Sequence, residues 1–545
     1  MSASGFTRSG SAPPIRRRLG RAALAAGLGL LVAGPAAAQV EVRQLTAPDL
    51  FSYGAPGSDL PSDLWVGSSG QLYGAVVPEL GVKPLSPAAA GLARHVLAAP
   101  ASGPQDVGKD PQMAGARVLA LLRLGDAAAA AAITDRTPGL PQRPALSQAA
   151  AEAALLAGND DKACAIGDAL AEGRSELYWL KLRAFCQARA GQGPAAQLTA
   201  DLAVQQGKDT DFQRLIDALI KGKDGGAPDL DGGVDYALSR QVVRSWPESM
   251  ATTALSPALA VAVARDPKAP PAARAIAAAS AARLGVLVPE AYAAVPAPPD
   301  VRTADVPGPA GEAALVALAQ SASDWGIKEQ ALIALLRRGK TGPELQALAQ
   351  LAAPDIAKLV QARAVLKQPM LFAMAAAAAG DGATARAARS VVGQGGAAPA
   401  PVDLAVLDAL IAADSDPPAA AAIQELLTQS PRADALARVR GASAIALLGA
   451  LGAPTGPDAR FAVAAADLGP SRIPPGSLLA LDLAARAGRS GEVALYVLLM
   501  AAESGPTSLS VADRGALVRA LWRAGLKRDA RAFALEGLIA LQARP

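Results

Sequence analysis

One histidine and two cysteines in 545 residues leave little from which to build a catalytic centre. Zinc sites draw on sets of Cys, His and carboxylate ligands, and the nitrogen and sulfur members of such a set are almost absent here. The H-E-x-x-H helix of the zincins cannot be formed with one histidine. Neither the G-x-S-x-G nucleophile elbow nor an S-x-x-K motif occurs. Aromatic residues are equally scarce: seven Phe, six Tyr and five Trp, or 3%. That scarcity argues against a large all-β protein, whose strands favour aromatic and β-branched residues. A long apolar span is also missing from the body of the chain. The best stretch, Ala442–Pro454, has 13 residues and two glycines, short of the roughly 20 that a bilayer requires, and it reads as a buried helix.

Net charge carries no partner signal either. The formal value is +4, but residues 1–38 hold Arg8, Arg16, Arg17, Arg18 and Arg21 and no acid. Without those five, 47 basic residues face 48 acidic ones, a balance of −1. A near-neutral chain gives no electrostatic reason to expect nucleic acid or an anionic membrane surface as partner.

What the chain has instead is alanine. Apolar types reach 51%, and alanine is both the best helix former and the smallest apolar core residue. Helices can therefore pack closely on little side-chain bulk, and the expected fold class is all-α.

Residues 15–38, IRRRLGRAALAAGLGLLVAGPAAA, place a basic stretch before an apolar run (Ala22–Val32), then Gly34–Pro35 and small residues at Ala36 and Ala38. This is the layout of a secretory signal peptide, with cleavage expected between Ala38 and Gln39. The protein is therefore expected in the periplasm, with secretion as the alternative. In that oxidising setting Cys164 and Cys186 are expected to pair. Residues 160–172 and 176–190 both read as helices with Gly173 between them, and the midpoint of the two cysteines, 175, lies at that turn. An antiparallel hairpin would bring the thiols together, and closing such a loop contributes about 3 kcal/mol.

The strongest internal signal is a period. Gly125, Gly158 and Gly191 are 33 residues apart, each ending one helical stretch and opening another, and each is followed five residues later by alanine (Ala130, Ala163, Ala196). The pattern recurs at Gly380 with Ala385 and at Gly525 with Ala530, and Gly488 has Val493 in that place. Glycine ends a helix without a Cβ penalty, and a small residue then lets the next helix cross closely. A 33-residue helix–turn–helix period, with Trp179, Leu182 and Ala195 at matching positions, resembles the tetratricopeptide repeats. The resemblance covers 111–222 and, more weakly, 470–541; Arg183, Cys186 and Thr199 depart from the family pattern. It implies stacked hairpins in an α-solenoid with a concave face that binds peptides or proteins, and it carries over no peptide-clamp residues.

Further helices are predicted at 255–265, 268–284, 309–322, 325–338, 342–352, 355–366, 401–414, 416–428 and 432–450. The organisation expected is a signal peptide (1–38), an irregular arm (39–87), a first array (88–294), a Pro-rich linker (295–308) and a second array (309–545) that ends in a capping hairpin at 516–541. The arm contains QVEVRQL, a short strand by pattern, and holds Phe51, Tyr53, Trp65 and Tyr73. Two readings stand for these aromatics: packing on the first repeats, or binding a partner.

Several chemical decoys fall away. RRGKT at 337–341 ends with the G-K-T of a phosphate loop, but Ala334 occupies the place of the required glycine and the segment is helical. His95 reads as a packed or surface residue among Leu92, Val96 and Leu97. Some murein transglycosylases carry an Ala-rich helical superhelix before a catalytic domain; the likeness stops at the helices, and Glu492 and Glu536 read as ordinary solvated helix residues. No cofactor and no metal is expected. The functional expectation is a non-enzymatic scaffold or adaptor binding envelope proteins, with a murein- or polysaccharide-associated accessory protein and a self-associating structural subunit as alternatives.

Overall fold

The computed structural model describes residues 49–246, 255–287, 291–292, 295, 305–362, 365–394, 399–507 and 509–542. The segment expected to be a signal peptide, the Ala38/Gln39 junction, the QVEVRQL segment and most of the Pro-rich linker lie outside the described residues.

Twenty-five α-helices and no strand occur among the described residues. The first six are α1 (Gly70–Val76), α2 (Pro87–Ala98), α3 (Pro111–Arg123), α4 (Ala127–Arg136), α5 (Pro144–Leu156) and α6 (Asp160–Ala169). Then come α7 (Leu177–Arg189), α8 (Gly193–Gln206), α9 (Thr210–Lys221), α10 (Gly233–Val242), α11 (Pro257–Arg265) and α12 (Pro271–Arg283). Beyond the linker stand α13 (Pro309–Ser321), α14 (Trp325–Leu336), α15 (Gly342–Ala362), α16 (Pro369–Ala378), α17 (Gly382–Ser390) and α18 (Pro401–Ala412). The last are α19 (Ala420–Gln429), α20 (Ala435–Ala450), α21 (Pro457–Ala465), α22 (Pro475–Arg486), α23 (Ser490–Ser504), α24 (Val511–Arg523) and α25 (Lys527–Ala540). Proline opens α2, α3, α5, α11, α12, α13, α16, α18, α21 and α22, where its fixed φ suits the helix and its missing N–H is one the first turn would leave unbonded anyway. Consecutive helices pack as neighbouring pairs, the arrangement of an α-solenoid.

The 33-residue period is a turn. At Gly158, φ is +78°. Its N–H donates to the Leu155 carbonyl (3.0 Å), and Asn159 N–H reaches back to the Ala154 carbonyl (2.8 Å). This left-handed ending satisfies carbonyls that the helix leaves free. The Asn159 side chain then accepts from Lys162 N–H and caps the next helix. One Gly–Asn pair thus closes α5 and opens α6. The same bonds recur around Gly125, Gly191, Gly380, Gly488 and Gly525, all at positive φ. Five residues on, Ala130, Ala163, Ala196, Ala385, Val493 and Ala530 are all fully buried, so the small residue does sit where two helices cross.

The two ends of the array meet. Helix α25 packs against α2, α15, α16, α18, α20 and α24; it is a central element and not the outer cap that the sequence suggested. Phe533 is fully buried on it. Glu536, expected in solvent, is also buried. One of its oxygens accepts the Ala88 N–H (2.7 Å) at the start of α2, and the other accepts from Arg514 Nη1 (3.1 Å). Glu492 is partly buried beside Arg489. Two turns before Glu536, Asp529 binds His95 Nδ1 at 2.9 Å, and His95 Nε2 meets Asp59 of the arm at 2.7 Å. The lone histidine thus ties three parts of the chain together. The Asp529 bond chiefly raises its pKa, against burial and with help from Asp59.

Other expectations are also modified. The segments 342–352 and 355–366 form one helix, α15, with Pro354 inside it. Pro354 and Gln350 are both exposed, so the carbonyl that loses its bond faces water. Meanwhile Leu351, Ala352 and Ile356 hold one continuous buried face across the proline. Helix α14 ends at Leu336, and its amphipathic pattern inverts at the start: Lys328 and Glu329 are buried while Trp325 and Ile327 are exposed. The arm is partly regular, containing α1 and a 3₁₀ turn at Val77–Glu79. Across the linker, α12 packs on α13 and α15. Residues 337–341 contain no phosphate cradle; Thr341 and Glu344 form a reciprocal capping box that opens α15.

Two outcomes test this closure. Phe533→Ala should lower unfolding free energy by ~3–5 kcal/mol, as for other buried aromatics, measured by denaturant unfolding. His95 contributes stability that is fully present below its unfolded-state pKa and is lost as pH rises through its higher folded-state value. Thermal midpoints between pH 5 and 9 should therefore fall with rising pH in the native protein, and less so in His95→Gln. Parallel profiles would show that the histidine bonds contribute nothing.

Candidate functional site

The first helices of three successive hairpins, α3, α5 and α7, line an open cleft of about 470 Å³ that the start of α10 and residues 256–259 close on the other side. The period organises it. Leu119 and Glu152 are 33 residues apart, as are Gln148 and Lys181, and as are Arg123 and Leu156, and all six line the cleft. In each of these pairs one repeat presents an uncharged residue and its neighbour a charged one.

Glu152 is a half-buried acid of this lining. Its Oε1 accepts the Gly233 N–H, and its Oε2 accepts the Tyr178 hydroxyl at 3.2 Å. Gly233 opens α10, whose N-cap, Gly232, has no side chain to offer. Glu152 thus caps α10 from a helix some 80 residues earlier, placing negative charge at the positive end of the helix dipole. Burial pushes the Glu152 carboxyl above its ordinary pKa, against the two hydrogen bonds. Tyr178 is raised well above the phenol value by burial and by the neighbouring carboxylate.

Lys181, one turn along α7 from Tyr178, donates to Asp209 and to Asp235 (3.4 Å) and stands 5.0 Å over the Phe212 ring. Asp209 in turn caps α9 through Phe212 N–H (2.9 Å). Carboxylate oxygens of Asp209, Asp229 and Asp235 lie within 4.8 Å of one another, and the lysine is the cation bound to two of them. Burial lowers the affinity of Lys181 for its proton, but Asp235 and Asp209 outweigh that and raise its pKa. Asp229 is pushed up to about 6 by burial and then by the charge of Asp235.

The disulfide fixes the helix that carries these groups. Cys164 on α6 is bonded to Cys186 on α7, with Cα atoms 5.7 Å apart. The two helices run antiparallel around Gly173 (φ +75°), as the spacing predicted. Tyr178, Lys181 and Cys186 thus share one helix, and the bridge anchors its far end to the preceding hairpin.

The predicted arm residues go elsewhere. Phe51, Trp65 and Tyr73 are fully buried, and Tyr53 is half-buried. Tyr73 meets the Phe51 and Trp65 rings edge-on at 5.3 and 5.5 Å. These three rings form the packing of the arm and present no surface to a partner. Arg117, which nothing in the sequence marked, holds the arm in place. Buried at 1% exposure, it donates to the carbonyls of Leu97, Phe51, Tyr53 and Ala99 at 2.6–3.2 Å. The arm also crosses to the other end of the array, where Leu64 accepts from the Gly491 N–H (3.0 Å).

Because the folded state raises the Glu152 pKa, it binds that proton more tightly than the unfolded chain, and the ionised carboxylate costs stability above the unfolded pKa. Glu152→Gln keeps an acceptor for the Gly233 N–H and can donate its amide N–H to the Tyr178 oxygen, without the charge. Its thermal midpoint should exceed that of the native protein at pH 7, with the gap narrowing at pH 4. Destabilisation at pH 7 would show that the charge is needed for the cap.

No known protein family, no curated protein and no solved structure matches this chain.

Proposed function

We propose that this protein is a non-enzymatic scaffold of the bacterial cell envelope, exported to the periplasm, whose tetratricopeptide-like array captures a polypeptide segment in the cleft between α3, α5, α7 and α10. The observation that carries this reading is the cleft itself. Its walls are the repeat helices, its apolar lining includes Leu119, Leu122, Leu156, Leu177 and Leu259, and a few polar groups converge on it. Such a combination is the usual form of a binding site. The position fits the motive for building a solenoid, since stacked hairpins offer a long surface for their mass.

Export draws on the leader-like N-terminal sequence and on the Cys164–Cys186 bond, which is compatible with an oxidising compartment. No helix among the described residues is long and apolar enough to cross a membrane.

Site-specific cross-linking tests the reading. A p-benzoylphenylalanine in place of Leu119 lies in the cleft; one in place of Leu198 lies on α8, outside it. In cells, the Leu119 probe should join the protein to a defined envelope polypeptide that the Leu198 probe does not recover. Identical recoveries from both positions, or recovery of this chain alone, would overturn the proposal.

A further inference from the structure

We propose that the cleft takes the alkylammonium group of a lysine side chain on its partner polypeptide, with Glu152 as the counter-ion. The inference rests on the reading of the cleft as a polypeptide site and adds the chemistry of the occupant.

Buried charges are ordinarily paired, because an unpaired one forfeits its hydration without return. Glu152 is bound by two neutral donors, the Gly233 amide and the Tyr178 hydroxyl, and it forms no ion pair among the described residues. The nearby cations are engaged elsewhere. Lys181 is shared between Asp209 and Asp235, and Arg123 donates to the Pro78 carbonyl at 2.7 Å. The cleft lining holds Glu152, Asp231 and Asp235 against Lys181 and Arg123, with Asp209 and Asp229 behind the lysine. The balance is negative, and the site lacks the cation that Glu152 calls for.

Each Glu152 oxygen already accepts one bond and keeps a lone pair for another. An ammonium needs a single free lone pair and can give a second proton to the Tyr178 hydroxyl oxygen, which donates to Glu152 and still accepts. Leu119, Leu122, Leu156 and Leu177 line the same space and would cover the four methylenes of a lysine stem. The start of α10 does not offer an anion site, because Glu152 occupies its first amide. The raised pKa of Glu152 agrees with this geometry: burial is its leading cause, and the Gly233 and Tyr178 bonds oppose it.

Two peptides separate charge from bulk: acetyl-Ala-Lys-Ala-amide and the same peptide with norleucine for lysine. Binding is read from leucine methyl shifts in the NMR spectrum of the full protein. The lysine peptide should bind about tenfold or more tightly, the ratio that one charge-assisted hydrogen bond supplies. Glu152→Gln should abolish the preference. In the native protein the preference should fade as pH is lowered through the Glu152 titration, an arm that needs no variant. Equal binding of the two peptides, a preference that survives Glu152→Gln, or one indifferent to pH would overturn the inference. A Leu119 cross-link to a partner in the face of equal binding would leave the scaffold reading intact and remove only the lysine. A lysine preference without any cross-linked partner would do the reverse.

Discussion

The contact between α2 and α25 is the constraint on which the rest of the structure depends. Two acids two turns apart on the last helix, Asp529 and Glu536, face the second helix and take His95 and the Ala88 amide. Phe533 lies between them in sequence and is fully buried. An open solenoid has two free ends, each needing a polar cap to stay soluble. Here the ends cover one another, and the arm, pinned by Arg117, is laid across the junction through Asp59 and Leu64. Closure also explains why a helix at the end of the chain is among its most buried.

The cleft shows how repetition yields a site without a dedicated domain. The turn at each Gly–Asn-type junction sets where helices begin, and the 33-residue step sets which positions face inward. Substituting Glu152 and Lys181 at two such positions turns part of an apolar face polar. Capping then locks the result. Glu152 opens α10, so a side chain that gives the cleft its charge also holds its far wall.

Much of this was legible in the sequence, and the parts that were not share a cause. The glycine turns could be read because a left-handed backbone at a helix end is a local demand that few other residues meet. The cysteine pair could be read because its partners lie on consecutive helices, 22 residues apart. Ten of the twenty-five helix starts among the described residues announce themselves as proline. By contrast, Glu536, Glu152, Arg117 and His95 look like solvated helix positions when only their neighbours in sequence are considered. Their burial is decided by partners 18 to 448 residues away. Pro354 misled for a related reason: its cost was judged locally, whereas the buried face on either side of it carries the helix through. One signal was available for the cleft and went unused. Aligning the repeats places Glu152 opposite Leu119 and Lys181 opposite Gln148, charge where the neighbouring repeat has none.

The closure has a temporal side. Polypeptides are synthesised from the N-terminus at roughly 5–20 residues per second, and contacts between distant residues form late because loop closure must precede them. Each hairpin around Gly125, Gly158 or Gly191 can assemble as soon as it emerges, since its partners are local. Helix α2 is different: Ser86 caps it locally, but the carboxylate that takes its Ala88 amide stands 448 residues downstream. For most of the chain's synthesis that amide lacks its partner and the apolar face that α2 will give to α25 is uncovered. The local hairpins therefore form early, and the contact that joins α2 to α25 comes late.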